Sequence, residues 1–114
     1  MSIKNRINTI KKKIENNTSY EILRACMENI GNEDRFSILN LLKNKPYFLS
    51  EMGKILKKSQ PSIAHHLRIL EKNGLIHSTK KGKFNEYFIS KEKFLYLSDV
   101  WNQWFQSIKF KDDE

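Results

Sequence analysis

The sequence predicts a mainly α chain with a small β component (α+β), built around one modest core. Three observations lead there. Apolar residues recur at helical spacing along most of the chain, and glycine and proline are scarce, at four and two in 114 residues. The period then changes once, near residues 75–89, to two short β-prone runs.

The elements follow in order. Ile3, Ile7, Ile10 and Ile14 are spaced 4-3-4, the pattern of a helix that packs along a seam. Lys4, Arg6, Lys11, Lys12 and Lys13 cover much of the remainder. The apolar face is narrow and lacks aromatics, so packing against another helix is expected rather than lying on a membrane. The stretch NNTSYE breaks the pattern, and Thr18 with Glu21 resembles a capping box that starts a second helix, about 19–30. That helix carries Ile22, Leu23, Cys26 and Ile30 on one side and stops at Gly31. Asn32 caps a third helix with Phe36, Leu39 and Leu42 facing the core, and Pro46 ends it. Ser50 caps a short helix with Met52, Ile55 and Leu56 inward. A tight turn through Lys58 and Ser59 leads to the next helix, with Ser59 as N-cap and Pro61 in the first turn. Ile63, Leu67 and Leu70 mark its core face, and Asn73-Gly74 stops it. Runs at about 75–80 and 84–89 form a hairpin joined around Gly82, with a Lys-Lys-Gly-Lys tip. A last helix, about 91–110, shows Phe94, Leu97, Trp101, Trp104 and Ile108 at 3-4-3-4 spacing, a second and heavier seam. The organisation expected is residues 1–18 as an amphipathic packing helix, 19–90 as the central domain, and 91–114 as a terminal helix with an acidic tail.

Composition narrows the function. Lys and Arg outnumber Asp and Glu by 21 to 13, a net charge of +8, which favours a polyanionic partner. One cysteine, Cys26, excludes a disulfide framework or a thiolate cluster within the chain, and its place on an apolar face reads as a small buried residue. No apolar leader and no membrane span is visible, so a cytoplasmic, nucleoid-associated protein is expected. No phosphate loop, nucleophile–base pair or carboxylate pair argues for an enzyme.

Two short helices joined by a tight turn and followed by a basic-tipped hairpin make a winged helix-turn-helix. A helix fits the major groove of double-stranded DNA, and a basic wing reaches the neighbouring backbone. Residues 54–83 hold eight basic side chains against one acidic, so the positive charge gathers on the elements that would face DNA. Lysine runs are usually solvated surface; the coincidence with turn and wing is what gives Lys57, Lys58, Lys80, Lys81 and Lys83 a phosphate-binding reading. On the reading helix, Ser59, Gln60, Ser62, His65 and Arg68 are the expected DNA contacts, Gln suiting adenine and Arg suiting guanine. With Ile63 at the centre of the core face, His65 lies about 200° away and points outward. His66 lies about 60° away, and is expected to be half-buried and hydrogen-bonded as support.

These stretches resemble the ArsR/SmtB family of winged-helix repressors. GNEDRFSILNLL is similar to the family's opening turn and second helix, SQPSIAHHLRILEKNGLI to its recognition-helix signature, and KKGKFNEYFI to its wing. The resemblance covers about residues 28–90. It implies a homodimer that binds an imperfect inverted repeat in a promoter and usually represses it, with the terminal helices as dimer core. That agrees with the two apolar seams, and makes Ile3, Ile7, Ile10, Ile14, Phe94, Leu97, Trp101, Trp104 and Ile108 the candidate dimer interface. The alternative is that both seams fold back within one subunit. The family's metal sites are missing: FLSEMGKIL holds no Cys or His, and Asp99 on the last helix has no His partner. Adjacent His65 and His66 project about 100° apart and make no joint ligand pair. No metal and no cofactor is expected, and no inducer is indicated. A low-specificity architectural protein that coats DNA, and a winged helix that recruits another protein, are the other readings the residues permit.

Overall fold

In a computed structural model of the chain, residues 2–111 are described, without the side chains of residues 10–17. Five helices and a three-stranded sheet follow one another: α1 Ile3–Ile30, α2 Glu33–Leu42, β1 Tyr47–Phe48, α3 Leu49–Leu56, α4 Gln60–Lys72, β2 Ile76–Lys81, β3 Phe84–Ile89 and α5 Lys91–Ser107. The first helix corrects an expectation. It runs unbroken through NNTSYE, so Thr18 starts no new helix and the expected boundary after residue 18 lies inside one rod. Polar residues such as Asn and Ser only lower helix propensity, and an uninterrupted backbone ladder overrides them. Ile10 and Ile14 lie outside the described side chains, as does the acidic tail at residues 112–114.

Caps set the other boundaries. Asn32 Oδ1 accepts from Arg35 N at 3.1 Å to open α2. Ser59 Oγ accepts from Ser62 N at 3.2 Å to open α4, where Pro61 sits in the first turn. Ser90, buried, does the same for α5 through Lys93 N. Helix α3 departs from expectation: it begins at Leu49, before Ser50, because Glu51 reaches back to accept from Phe48 N at 2.9 Å. Gly74, at φ +71°, ends α4 by letting Leu75 N bond Leu70 O.

The core lies where α4 crosses α2 and α3, with Ile63, Leu67 and Leu70 against Ile38, Leu39, Leu42, Met52, Leu75 and Ile76. Leu23 and Cys26 of α1 and Leu97 and Val100 of α5 close it. Two expected core residues face out instead. Phe36, 56% exposed, and Ile55 each stand about 110° from the centre of their helix's buried face. The sheet order is β1-β3-β2, all antiparallel, with Tyr47 opposite Tyr87 and Ile76 opposite Ile89. The hairpin runs one residue later in β2 than the period suggests. The two-residue strand β1, which no periodicity could reveal, ties the end of α2 to the wing.

The molecule is drawn out, with extents of 61 × 39 × 20 Å and a radius of gyration of 18.8 Å. A compact chain of this length would have a radius of about 13 Å.

Candidate nucleic-acid interface

Helix α4 stands on the core through one face and shows the other to solvent. Gln60, Pro61, His65 and Arg68 are exposed and Ser62 is half-exposed, so four of the five expected contacts present their side chains together. The fifth, Ser59, is exposed too, but its hydroxyl is engaged as the cap. The turn before α4 is tight. Lys57 adopts the left-handed conformation (φ 55°), and Lys58 N bonds back to Gly53 O at 3.0 Å. A side chain on Gly53 would meet Lys58 O at 3.1 Å, so this glycine lets the two helices close on each other.

The wing rises beside α4. Gly82, at φ +62°, occupies the first of its two loop positions, a conformation that glycine supplies without strain. Lys80, Lys81 and Lys83 are exposed around it, with Lys81 Nζ 3.8 Å from Glu86. A groove of about 280 Å³ separates wing from helix, lined by Phe48, Gln60, Lys83, Phe84 and Tyr87. Burial and the Glu71 carboxylate push the Tyr87 phenol up, keeping it protonated, while Arg68 acts in the opposite sense. Phe84 was not among the expected contacts. It is 68% exposed, lies edge-on to Phe48 at 6.5 Å, and follows Lys83 directly.

The histidines separate as their helical angles require. His65 is exposed, and His66 is half-buried with Arg35 3.2 Å from its Nδ1 and Asp34 3.5 Å from its Nε2. Asp34 and Arg35 were missed by sequence reasoning. They lie about 30 residues away, and only the fold brings them to α4. Lys58, expected on phosphate, also meets Asp34 at 3.5 Å. Among the described residues, no group of three or more His, Cys, Asp or Glu is placed to hold a metal ion. No described helix is long and apolar enough to cross a membrane.

At the other side of the molecule, the candidate dimer residues split. Ile3 (76% exposed), Ile7, Trp101 and Trp104 are uncovered, the two tryptophans stacked 5.4 Å apart. Phe94 and Ile108 are half-buried. Leu97 is a correction: it is buried in its own subunit, because its turn of α5 rests directly on α1. Between Tyr20, Leu23, Met27, Trp101 and Trp104 lies an open apolar groove of about 840 Å³.

A reading helix on a tight turn, with a basic wing beside it, defines a DNA-binding winged helix-turn-helix protein. Comparison gives the family. The sequence model for bacterial regulatory proteins of the arsR family matches residues 32–78. An uncharacterised HTH-type transcriptional regulator of Methanocaldococcus jannaschii is 38% identical over 71 residues, covering 61% of this chain and 80% of the relative. The cadmium resistance transcriptional regulatory protein CadC of Listeria innocua is 26% identical over 109 residues, covering 95% and 86%. Among solved structures, an ArsR-like transcriptional regulator from Rhodococcus superposes with a TM-score of 0.71 at 24% identity, covering 78% of this chain and 84% of that one. The chain belongs to the arsR family and is a DNA-binding transcriptional regulator, not an enzyme.

Proposed function

We propose that this protein is a homodimeric repressor that reads an imperfect inverted repeat with two copies of α4 and responds to no metal. The observation that carries this is the division of its surface. One side presents Gln60, Ser62, His65 and Arg68 between basic turn and basic wing, and the other leaves Ile3, Ile7, Trp101 and Trp104 bare. Apolar exposure of this kind, on an elongated subunit, is what a two-fold partner covers. Two symmetric subunits then set two reading helices about one helical turn of DNA apart, which makes the operator palindromic. Lys57, Lys80, Lys81 and Lys83 supply affinity through phosphate, and the base-facing residues supply choice. Metal independence rests on the donor set. The relative named for cadmium resistance regulates in that context, whereas the single cysteine here is buried among apolar side chains, which raise its thiol pKa and hold it protonated. Occupying promoter DNA makes repression the default consequence, in the cytoplasm where the chromosome lies.

Selection of bound sequences from random DNA, combined with a measurement of solution mass, tests the whole reading. One enriched palindrome and a mass of two chains are expected. Uniform recovery of sequences would point to an architectural coat on DNA, and a monomeric mass would remove the dimer.

A further inference from the structure

Arg35 holds three elements at once. Its backbone N–H donates to the Asn32 cap, its Nε donates to the Asn29 carbonyl in the last turn of α1 at 2.8 Å, and its Nη1 lies 3.2 Å from Nδ1 of His66 on α4. The opposite ring nitrogen, Nε2, faces Asp34 Oδ2 at 3.5 Å. Only 12% of the His66 side chain is exposed, so water does not readily replace these partners. A guanidinium has donors and no acceptor, which leaves Nδ1 to present a lone pair and places the ring hydrogen on Nε2, toward Asp34. A second ring proton would have to sit on Nδ1, setting N–H against N–H and cation against cation.

We propose that Arg35 and His66 are positioning residues for DNA recognition: their contact fixes α4 in one orientation relative to the end of α1, and a proton added to His66 releases it and weakens operator preference. The proposal rests on the reading that α4 selects sequence. Its reach comes from Asn29, because α1 also bears the apolar seam, so the contact joins the reading helix to the dimer scaffold.

The groups facing His66 are Asp34 and Arg35 from α2, and His65 beside it on α4 with its ring 5.3 Å away. Lys58 Nζ lies 3.5 Å from the other oxygen of Asp34. Burial, and next the Arg35 charge, lower the His66 pKa from the ordinary imidazole value, with Asp34 opposing them. The folded protein therefore keeps the ring neutral where an unfolded chain has begun to bind the proton. The brace is complete above the ordinary imidazole range and is lost as pH falls through and below it.

The test measures affinity for a duplex recovered by selection and for a random duplex of equal length, at fixed salt, between about pH 8 and pH 5.5. Lower pH makes the protein as a whole more cationic and strengthens phosphate attraction on both duplexes alike, so the ratio of the two affinities isolates preference. The wild-type ratio is expected to fall by about fivefold across the window. His66→Gln, whose amide can accept from Arg35 and donate to Asp34 without titrating, is expected to keep a high ratio that does not change with pH. Arg35→Met is expected to have the low ratio at every pH. A pH-invariant wild-type ratio, or a His66→Gln ratio that still falls, overturns the proposal while leaving sequence-specific binding intact. No preference at any pH overturns both. Should the variants fail to fold, nitrogen NMR of the wild-type ring decides: hydrogen on Nε2 supports the brace, and hydrogen on Nδ1 at neutral pH refutes it.

Discussion

On the proposed reading, individual side chains of α4 and the wing divide the work of binding between choice and affinity. Gln60 and Arg68 are exposed on the first and third turns, with neither engaged in an ion pair, and both have the paired donors or acceptors that base edges require. Lys81 on the wing can offer only a mobile charge, and part of that is already turned toward Glu86. Arg68→Ala or Gln60→Ala should therefore cost about 1–3 kcal/mol on the selected duplex and relax its sequence, with a much smaller loss on random DNA. Lys81→Ala should weaken both duplexes alike and reduce the salt slope by about one. Quantitative binding at several salt concentrations distinguishes them, and equal losses on both duplexes for all three variants would refute the base-reading assignment. Ser59 belongs to neither group: its hydroxyl serves the helix, so its substitution should first destabilise the fold.

Among elements, the tight turn between α3 and α4 stores the most local strain. Lys57 is the sole described non-glycine residue at positive φ. A lysine there costs about 1 kcal/mol in the backbone, part of which glycine would give back as unfolded-state entropy. Lys57→Gly should raise stability by about 0.5 kcal/mol in urea unfolding while weakening DNA binding, since the proposed phosphate contact goes with the side chain. A loss of stability would show that the lysine is held by more than its backbone. Elements also show what a sequence discloses. Capped helices such as α2 and α4, and the hairpin with its glycine, were legible because caps, apolar period and turn residues are local signals. The start of α3 was not, since Glu51 competes with Ser50 for the cap. The continuity of α1 was not, because polar residues at its middle mimic a terminus. Arg35 and Asp34 were invisible as partners of His66, because nothing local records contacts across 31 and 32 residues. Phe36 and Ile55 had helical spacing, yet the direction of the core is set by neighbours that spacing alone does not name.

The whole subunit carries an apolar band along α1 and α5 that its own core does not use. Trp101 and Trp104 stack on each other beside the groove lined by Leu23 and Met27, each still 40% exposed. Replacing Trp104 with Glu places a charge in that band without disturbing buried Leu97 or Val100. Trp104→Glu should leave far-UV circular dichroism and thermal unfolding cooperative, yet yield the mass of one chain in sedimentation equilibrium, and should lower operator affinity by at least about a hundredfold as the second half-site is lost. A dimeric Trp104→Glu protein would move the interface elsewhere on the surface.

The unbroken α1 has a consequence for the DNA itself. Its 28 residues make a rod of about 42 Å with no joint along it. If two such rods frame the dimer, the separation between the reading helices is a length set by the protein, not one adjusted to each site. One added base pair between half-sites moves the second by about 3.4 Å and turns it by about 35° around the duplex axis. A jointed scaffold could follow that rotation. In that arrangement this one would measure the gap, and sites with the right letters at the wrong helical phase would go unread.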